Sequence, residues 1–376
     1  MDDVQIKILS IAPYRFIPAR FGGHKAIAFL YKYLSLITSF QAVTVVSQYE
    51  KTDLVQYSTF PILSDSVLRY ANIFSIRKIG KIIKSEKITH IMTEHPYLGW
   101  MLYLIRIFYS KKIIVRSHNI EALRFKSIGK FWWKILYLYE AWVYKMADLV
   151  VFITPEDRNF AIQNFGVKPE KSSVITYGMD LPSNYSNEWK TAAHSNILAE
   201  NQLSSSTRIL LFNGDFGYKP NLDALILLVE DVLPKLNQTI IDFKLVVCGK
   251  SIPETITTNT EKNIIVKGFV DDIQMYFGGA NVFINPIFDG GGIKTKLVEA
   301  LSFNTPAVSF VSGAIGIPTN VIGRNLQVVE DRNVDAMVLA IQQQLILTPN
   351  LPSSFFTYFS WKNIAQSMLN DIRKIG

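Results

Sequence analysis

The sequence predicts an α/β protein built from two doubly wound domains facing a cleft, on three observations. Short β-branched runs alternate with longer stretches at helical spacing, the rhythm of a parallel sheet with crossover helices. A polar stretch near residue 200 interrupts that rhythm once, after which it restarts. At 376 residues and 42.7 kDa, the chain also exceeds what one hydrophobic core usually supports.

In the first domain, taken as residues 1–182, the pattern places strands at 6–11, 42–47, 88–93, 113–116, 149–154 and 173–176. Helices at 26–37, 97–108 and 131–146 fall between them. Residues 183–206 turn polar, with Ser204, Ser205 and Ser206 in a row, and read as a linker loop. The second domain, 207–358, carries strands at 208–213, 243–248, 264–266, 282–285, 307–310 and 326–329. Its helices fall at 222–233, from Asp272 onward, at 294–303 and at 334–345. The tail 359–376 reads as a C-terminal amphipathic helix that can fold back over either domain, the first among them, a choice that the pattern leaves open.

Hydrophobic residues make up 49% and charged residues 19%, a globular composition without extended disorder. Lys and Arg number 39 against 31 Asp and Glu, and the excess of +8 concentrates in stretches such as 77–87 and 111–116. Such an excess calls for an anionic partner. No nucleic-acid motif is present and the basic residues alternate with Ile, Tyr and Trp, which favours an anionic membrane surface over nucleic acid. The run Phe131, Trp132, Trp133 and Lys134, with Arg124 and Lys126 close by, suits a membrane interface; the competing reading is ordinary core packing. The single cysteine, Cys248, sits in an apolar run as a buried strand residue, which fits a reducing compartment. The first residues lack the basic leader of a secretory signal, and the most apolar helical stretches fall short of the ~20 residues that cross a bilayer. The expected location is the cytoplasm, including the inner face of the membrane.

The chemistry concentrates after the strand 282–285, where Pro286-Ile287-Phe288-Asp289-Gly290-Gly291-Gly292-Ile293-Lys294-Thr295-Lys296-Leu297-Val298-Glu299 leads into a helix. Glycines let a ligand approach the backbone, and the free N–H groups and positive dipole end of the following helix suit a phosphate. Lys294 and Lys296 in the first turn oppose that dipole, a cost that an anion would offset. Alone, three glycines serve a tight turn and the lysines are surface charges. Asp289, Lys296 and Glu299 beside them tip the reading toward a ligand site.

Residues 289–308 resemble the nucleotide-sugar motif of the GT-B-type retaining glycosyltransferases of family 4, also called glycosyltransferase group 1. The resemblance implies two Rossmann-like domains, a nucleotide-diphosphate sugar as donor, and a glycan or lipid-linked acceptor. It implies neither metal nor cofactor, and a setting in polysaccharide or cell-surface glycan assembly. Family members carry two acidic residues, one near the donor sugar and one on the ribose, roles that fall here to Asp289 and Glu299. Their separation is wider than usual, and Asp289 stands where the family commonly has Glu.

The same resemblance extends over most of the chain. Phe21-Gly22-Gly23 resembles the N-terminal glycine loop that approaches the donor phosphate; the competing reading is an ordinary helix-start turn. His118, after a strand, matches the histidine that faces the donor sugar, while His90 and His95 read as structural; Glu94 and His95 are acceptor-side candidates. Asn213-Gly214-Asp215 with Lys219 matches the first donor-domain loop, although Asp215 replaces the usual Arg and leaves charge neutralisation to Lys294 and Lys296. Phe269 and Val270 match the segment whose backbone contacts the base, and Asp272 beside them reads as a helix N-cap. The catalytic set is therefore His118, Asp289, Lys296 and Glu299. The donor-binding set is Gly22, Gly23, Gly214, Lys219, Phe269, Val270, Gly290, Gly291, Gly292, Ile293 and Lys294. Two rivals keep the fold and change the role: a nucleotide-sugar epimerase, and a non-catalytic subunit that binds nucleotide or glycan.

Overall fold

A computed structural model describes the chain apart from residues 1–4, 20–21, 49–51, 181–185, 241 and 258–262. The chain forms two compact units, one of residues 1–179 with 358–376, the other of 180–357. The expected domain junction at 182–183 and Phe21 of the N-terminal glycine loop lie outside the described residues.

The first unit holds a seven-stranded parallel sheet. Its strands are β1 (Lys7–Ile11), β2 (Ser39–Val45), β3 (Ser58–Leu63), β4 (His90–Glu94), β5 (Lys112–Ser117), β6 (Leu149–Phe152) and β7 (Ser172–Val174), in the order β3-β2-β1-β4-β5-β6-β7. Every residue of β4 and β6 is buried, as a sheet covered by helices on both faces requires. The order reverses between β1 and β4, so the connections leaving those two strands diverge to opposite sides and open a crevice at their carboxyl ends. β3 was hidden in the sequence because Pro61 interrupts it; as an edge strand it tolerates the missing N–H. The helix Pro155–Phe165 was also hidden, for its apolar face is weak. Its ends define it instead: the Thr154 side chain accepts from the Asp157 N–H, Pro155 opens the first turn, and Gly166 closes it at φ 68°.

The second unit holds six parallel strands, β8 (Arg208–Asp215), β9 (Phe243–Lys250), β10 (Ile264–Gly268), β11 (Val282–Asn285), β12 (Ala307–Phe310) and β13 (Leu326–Val329), ordered β10-β9-β8-β11-β12-β13. Its reversal lies between β8 and β11. β8 and β9 stay paired to their last residues, Asp215 opposite Lys250, because a Cβ at Gly249 would lie 1.8 Å from the Gly214 carbonyl oxygen.

The expected linker loop is a helix, Asn187–Glu200, that belongs to the second unit. Ser186 caps it, and the apolar positions Trp189, Ala193 and Ile197 recur every four residues, a stripe that the surrounding polar residues diluted. The stripe lies against Gly278 and Gly279 of the helix Ile273–Gly279: a Cβ at Gly278 would come within 2.2 Å of the Trp189 ring. Trp189 also stacks on Phe303, and His194 meets the Gly279 carbonyl at 2.7 Å.

The helix Trp361–Lys374 returns to the first unit, beside the helix Gly22–Ile37. Trp361 is buried, stacks on Phe29 with rings 6.1 Å apart and 9° from parallel, and meets Tyr177 edge-on. Gly178 makes room for it, since a Cβ there would sit 2.5 Å from the indole. The Met179 N–H donates to the Phe359 carbonyl at 2.6 Å. The aromatic helix Trp133–Met146 turns Val143 and Tyr144 inward; of the expected aromatic run, Trp132 and Trp133 are partly buried, but Phe131 is 91% exposed, as are Ile135 at 72% and Leu138 at 70%, so core packing accounts for only part of it. No helix among the described residues is long and apolar enough to cross a membrane. Truncating the Trp361 side chain to alanine is expected to cost the first unit about 3–5 kcal/mol, read as a lowered denaturant midpoint.

Candidate functional site

In the second unit the glycine-rich loop leaves β11 and enters the helix Thr295–Ser302, whose N-cap is Lys294. Gly290 at φ 90° and Gly292 at φ 73° adopt a conformation that side chains disfavour, and a Cβ on Gly290 would stand 3.2 Å from the Tyr218 hydroxyl. Lys294 bends back over the loop: its ammonium donates to the carbonyls of Gly290, Gly291 and Gly292 at 2.8, 3.2 and 2.9 Å. These three bonds brace the loop beside which the sequence expects Lys294 to act as a charge neutraliser. Ile293, beside it, is partly buried.

Lys296 runs inward instead. Its ammonium donates to the Asn213 carbonyl at 2.8 Å and to Asn221 Oδ1 at 2.9 Å, and lies 4.6 Å from the centre of the Phe212 ring. Burial, then the neighbouring Lys294 charge, holds its pKa down to about 7. No described carboxylate pairs with it, and its third N–H has no partner among the described residues. Asn221 is fixed in turn by donating to the Asp215 carbonyl at 2.9 Å, and it packs close to Gly214, where a Cβ would sit 3.1 Å from the amide. The loop, the carboxyl end of β8 and the helix that begins at Lys219 thus meet at the reversal of strand order.

The other expected residues of this unit are more peripheral. Lys219 is exposed and ion-paired with Asp223 one turn along its helix. Asp289 is exposed and accepts from the Gly290 N–H at 2.6 Å, while Glu299 is partly buried on the helix Thr295–Ser302. Phe269 is exposed beneath the Lys250 ammonium, 4.5 Å from its ring centre, and Val270 is partly buried. Asp272 caps the helix Ile273–Gly279, accepting from the N–H groups of Gln274 and Met275.

In the first unit, β4 and β5 pair Glu94 with Arg116 in register, and both are wholly buried. Arg116 Nη1 lies 3.1 Å from Glu94 Oε2, and His118 Nε2 lies 2.5 Å from the same oxygen. Burial raises the Glu94 pKa, but Arg116 and His118 outweigh it and hold the carboxyl at about 2. Burial, then His95 and Arg116, lowers His118 to about 4, so its imidazole is neutral near pH 7 and donates from Nε2 to the carboxylate. Arg116 Nε and Nη2 and Glu94 Oε1 have no hydrogen-bond partner among the described residues.

His95 follows β4 at φ 63° and ψ 162°, a region costing of order 1–3 kcal/mol for a residue with a side chain. Three contacts hold it there. Its Nδ1 donates to Glu121 Oε1 at 3.0 Å, its Nε2 accepts from the Tyr14 hydroxyl at 2.8 Å, and its ring stacks on His118 with centroids 4.3 Å apart. Glu121 also accepts from Tyr97 and Arg124, and against its burial these partners, led by His95, hold its pKa at about 2. The sequence read His95 first as structural; its strained backbone and its place beside His118 put it in the same cluster. His90 starts β4, buried, and bonds Thr89 at 2.8 Å, as a structural histidine does. Gly22 opens the helix Gly22–Ile37, and the Cβ position of Gly23 faces open space, so the backbone does not demand glycine there. Among the described residues no group of three or more His, Cys, Asp or Glu is gathered to hold a metal ion.

Residues 57–182 match the model of the Glycosyltransferase Family 4 domain, and residues 207–346 match that of the Glycosyl transferases group 1. The chain belongs to the GT-B glycosyltransferases. Solved structures agree on the fold. A glycosyltransferase from Rickettsia africae superposes with a TM-score of 0.73 at 17% identity, covering 99% of each chain. The sucrose-phosphate synthase of Thermosynechococcus elongatus gives 0.72 at 15%, covering 98% of this chain and 99% of that one. HepE of Anabaena, solved in complex with UDP, gives 0.69 at 13%, covering 98% and 100%. A curated relative, an uncharacterized 44.6 kDa protein in the cps region of Klebsiella pneumoniae, is 23% identical over 257 residues. That match spans 65% of this glycosyltransferase and 62% of the length of the relative.

The buried acidic cluster sets the acid stability of this glycosyltransferase. Glu94 and Glu121 have folded pKa values below their ordinary 4.5, so their contribution is complete above pH 4.5 and is lost as pH falls toward 2. Replacing Glu94 by Gln leaves Arg116 uncompensated and is expected to cost about 3–5 kcal/mol at pH 7, read by denaturant unfolding.

Proposed function

We propose that this chain transfers a sugar from a nucleoside-diphosphate sugar to a glycan or lipid-linked acceptor, with the group 1 domain holding the donor. The observation that carries the reading is Lys296: a partly buried ammonium without a carboxylate partner among the described residues, one N–H unspent, at the start of a helix behind a glycine-rich loop. A diphosphate supplies the missing counter-charge. In the transition state the leaving diphosphate gains charge, and Lys296 with the backbone N–H groups of the helix start stabilises it in place, without reorganisation. HepE, of the same fold, has been solved with UDP and with UDP-glucose, which supports a donor of that class.

The remaining roles follow on this reading. Glu299 takes the ribose and Asp289 the donor sugar, with the phosphates against Gly290, Gly291 and Gly292. Phe269 and Val270 flank the base. In the first unit the neutral His118 faces the sugar, with Glu94 fixing its tautomer. Retention of configuration, a place in cell-surface glycan assembly and a cytoplasmic location complete the proposal. The anomer of the product, read by proton NMR, tests the first of these.

Calorimetry with UDP and GDP, and with their sugars, tests the donor site. Lys296→Ala is expected to weaken nucleoside-diphosphate binding at least tenfold, and Glu299→Ala to weaken it as well. Failure of every nucleotide to bind the unaltered protein would sink the reading in favour of a glycan-binding subunit. Because free Lys296 has a pKa of about 7 and an anion raises it, binding takes up a proton. Affinity is therefore expected to fall as pH rises from 7 to 9, and Lys296→Arg, always charged, to flatten that fall in the same titration.

A further inference from the structure

On the first unit lies an open pocket of about 370 Å³, lined by Tyr70, Tyr97, Phe125, Trp132, Leu136 and Tyr139. Its size falls in the ~300–1,000 Å³ range of small-molecule sites. Two of its tyrosines give it rings and turn their polar ends to partners in the protein: the Tyr97 hydroxyl donates to Glu121 at 2.6 Å, and the Tyr139 hydroxyl donates to the Tyr97 carbonyl and accepts from the Trp100 N–H. Phe125 and Trp132 pack together with centroids 4.6 Å apart, and Tyr70 meets Tyr97 edge-on. The wall is therefore apolar, while its floor touches the cluster of Glu121 and His95.

The elements that line this opening also carry exposed apolar side chains. Val67 and Leu68, 77% and 70% exposed, belong to the turn that carries Tyr70; Phe131 precedes Trp132, and Ile135 and Leu138 lie one and two residues from Leu136. Exposed apolar residues concentrated on the elements of one apolar pocket point to an interaction site. The charge beside it decides what fits. Between Ala122 and Tyr139 the chain carries Arg124, Lys126, Lys130 and Lys134 and no acidic residue. Arg124 and Lys126 lie over the rings of Phe125 and Trp133, at 5.4 and 4.9 Å from their centres. Hydrocarbon in the pocket and an anion at its rim is the pattern of a single amphiphile with a phosphate head.

We propose that the pocket binds the hydrocarbon chain of a phosphate-bearing lipid acceptor, with Lys126 and its basic neighbours on the phosphate, and so selects lipid-linked over free-glycan acceptors. This rests on the transferase reading above and names the acceptor class for it. The Tyr97–Glu121–His95 chain of hydrogen bonds would carry the effect of an occupied pocket to the residues beside His118.

Calorimetry on the full chain with farnesyl phosphate, kept below its micellar concentration, and separately with UDP, tests this. Saturable one-site binding of farnesyl phosphate is expected, weakened at least tenfold by Leu136→Trp, which fills the pocket, and several-fold by the exposed change Lys126→Glu. UDP affinity should be unchanged in both variants. Wild-type protein that binds UDP but not farnesyl phosphate overturns the pocket and leaves the donor reading intact. Loss of UDP binding alone strikes the donor reading and spares the pocket. Equal farnesyl phosphate affinity in Leu136→Trp and wild type also overturns it. So does binding to phosphatidylglycerol vesicles without binding to farnesyl phosphate, which would make the surface a membrane face. Should Leu136→Trp fail to fold by circular dichroism, Lys126→Glu decides: unaltered affinity there overturns the proposal.

Discussion

A guanidinium with no access to solvent must be matched where it lies, and in the first unit that demand fixes the ends of two strands. Arg116 reaches Glu94 only while β4 and β5 hold their register, since a slip of one strand by one residue would turn its side chain to the face opposite its partner's. The same carboxylate receives His118, which aligns the imidazole, and His118 supports the stacked ring of His95. Backbone strain at His95 is thus borne by a cluster whose anchor is one ion pair.

The second unit meets a comparable demand differently. Lys296 has no carboxylate among the described residues and is held by two amide oxygens and an aromatic face, which orient a cation without neutralising it. One unit therefore gives its buried cation a carboxylate, and the other leaves its cation open to an anion. Lys296 stands at the reversal of strand order in its unit, where diverging connections leave room for a ligand, whereas Arg116 lies on β5, one strand beyond the reversal of its own sheet.

What could be read from the sequence was what local pattern encodes. The two parallel sheets follow from apolar runs at β-spacing, and the loop of Gly290, Gly291 and Gly292 announces its turn by composition alone. What could not be read depends on partners far along the chain. The acceptors for Lys296 lie 83 and 75 residues away, so its inward path had no local signal. The helix Asn187–Glu200 was taken for loop because its apolar stripe is legible only beside Gly278 and Gly279. Arg116 does carry a local signal: a charge inside the buried run of β5 has to find a counter-charge on a neighbouring strand, and Glu94 is the acid on β4. The exposed stripe of Phe131, Ile135 and Leu138 was ambiguous, because helical spacing reports an apolar face without saying what covers it.

The return of residues 358–376 to the first unit sets an order of assembly during synthesis. The second unit is one continuous stretch, 180–357, and can close as soon as it leaves the ribosome. The first unit cannot, although most of it is made earlier. Until Trp361 emerges, the slot formed by Phe29, Tyr177 and Gly178 stands empty, with apolar surface facing water. The older half of the nascent chain therefore completes its packing only after the younger, once the helix Trp361–Lys374 has been made.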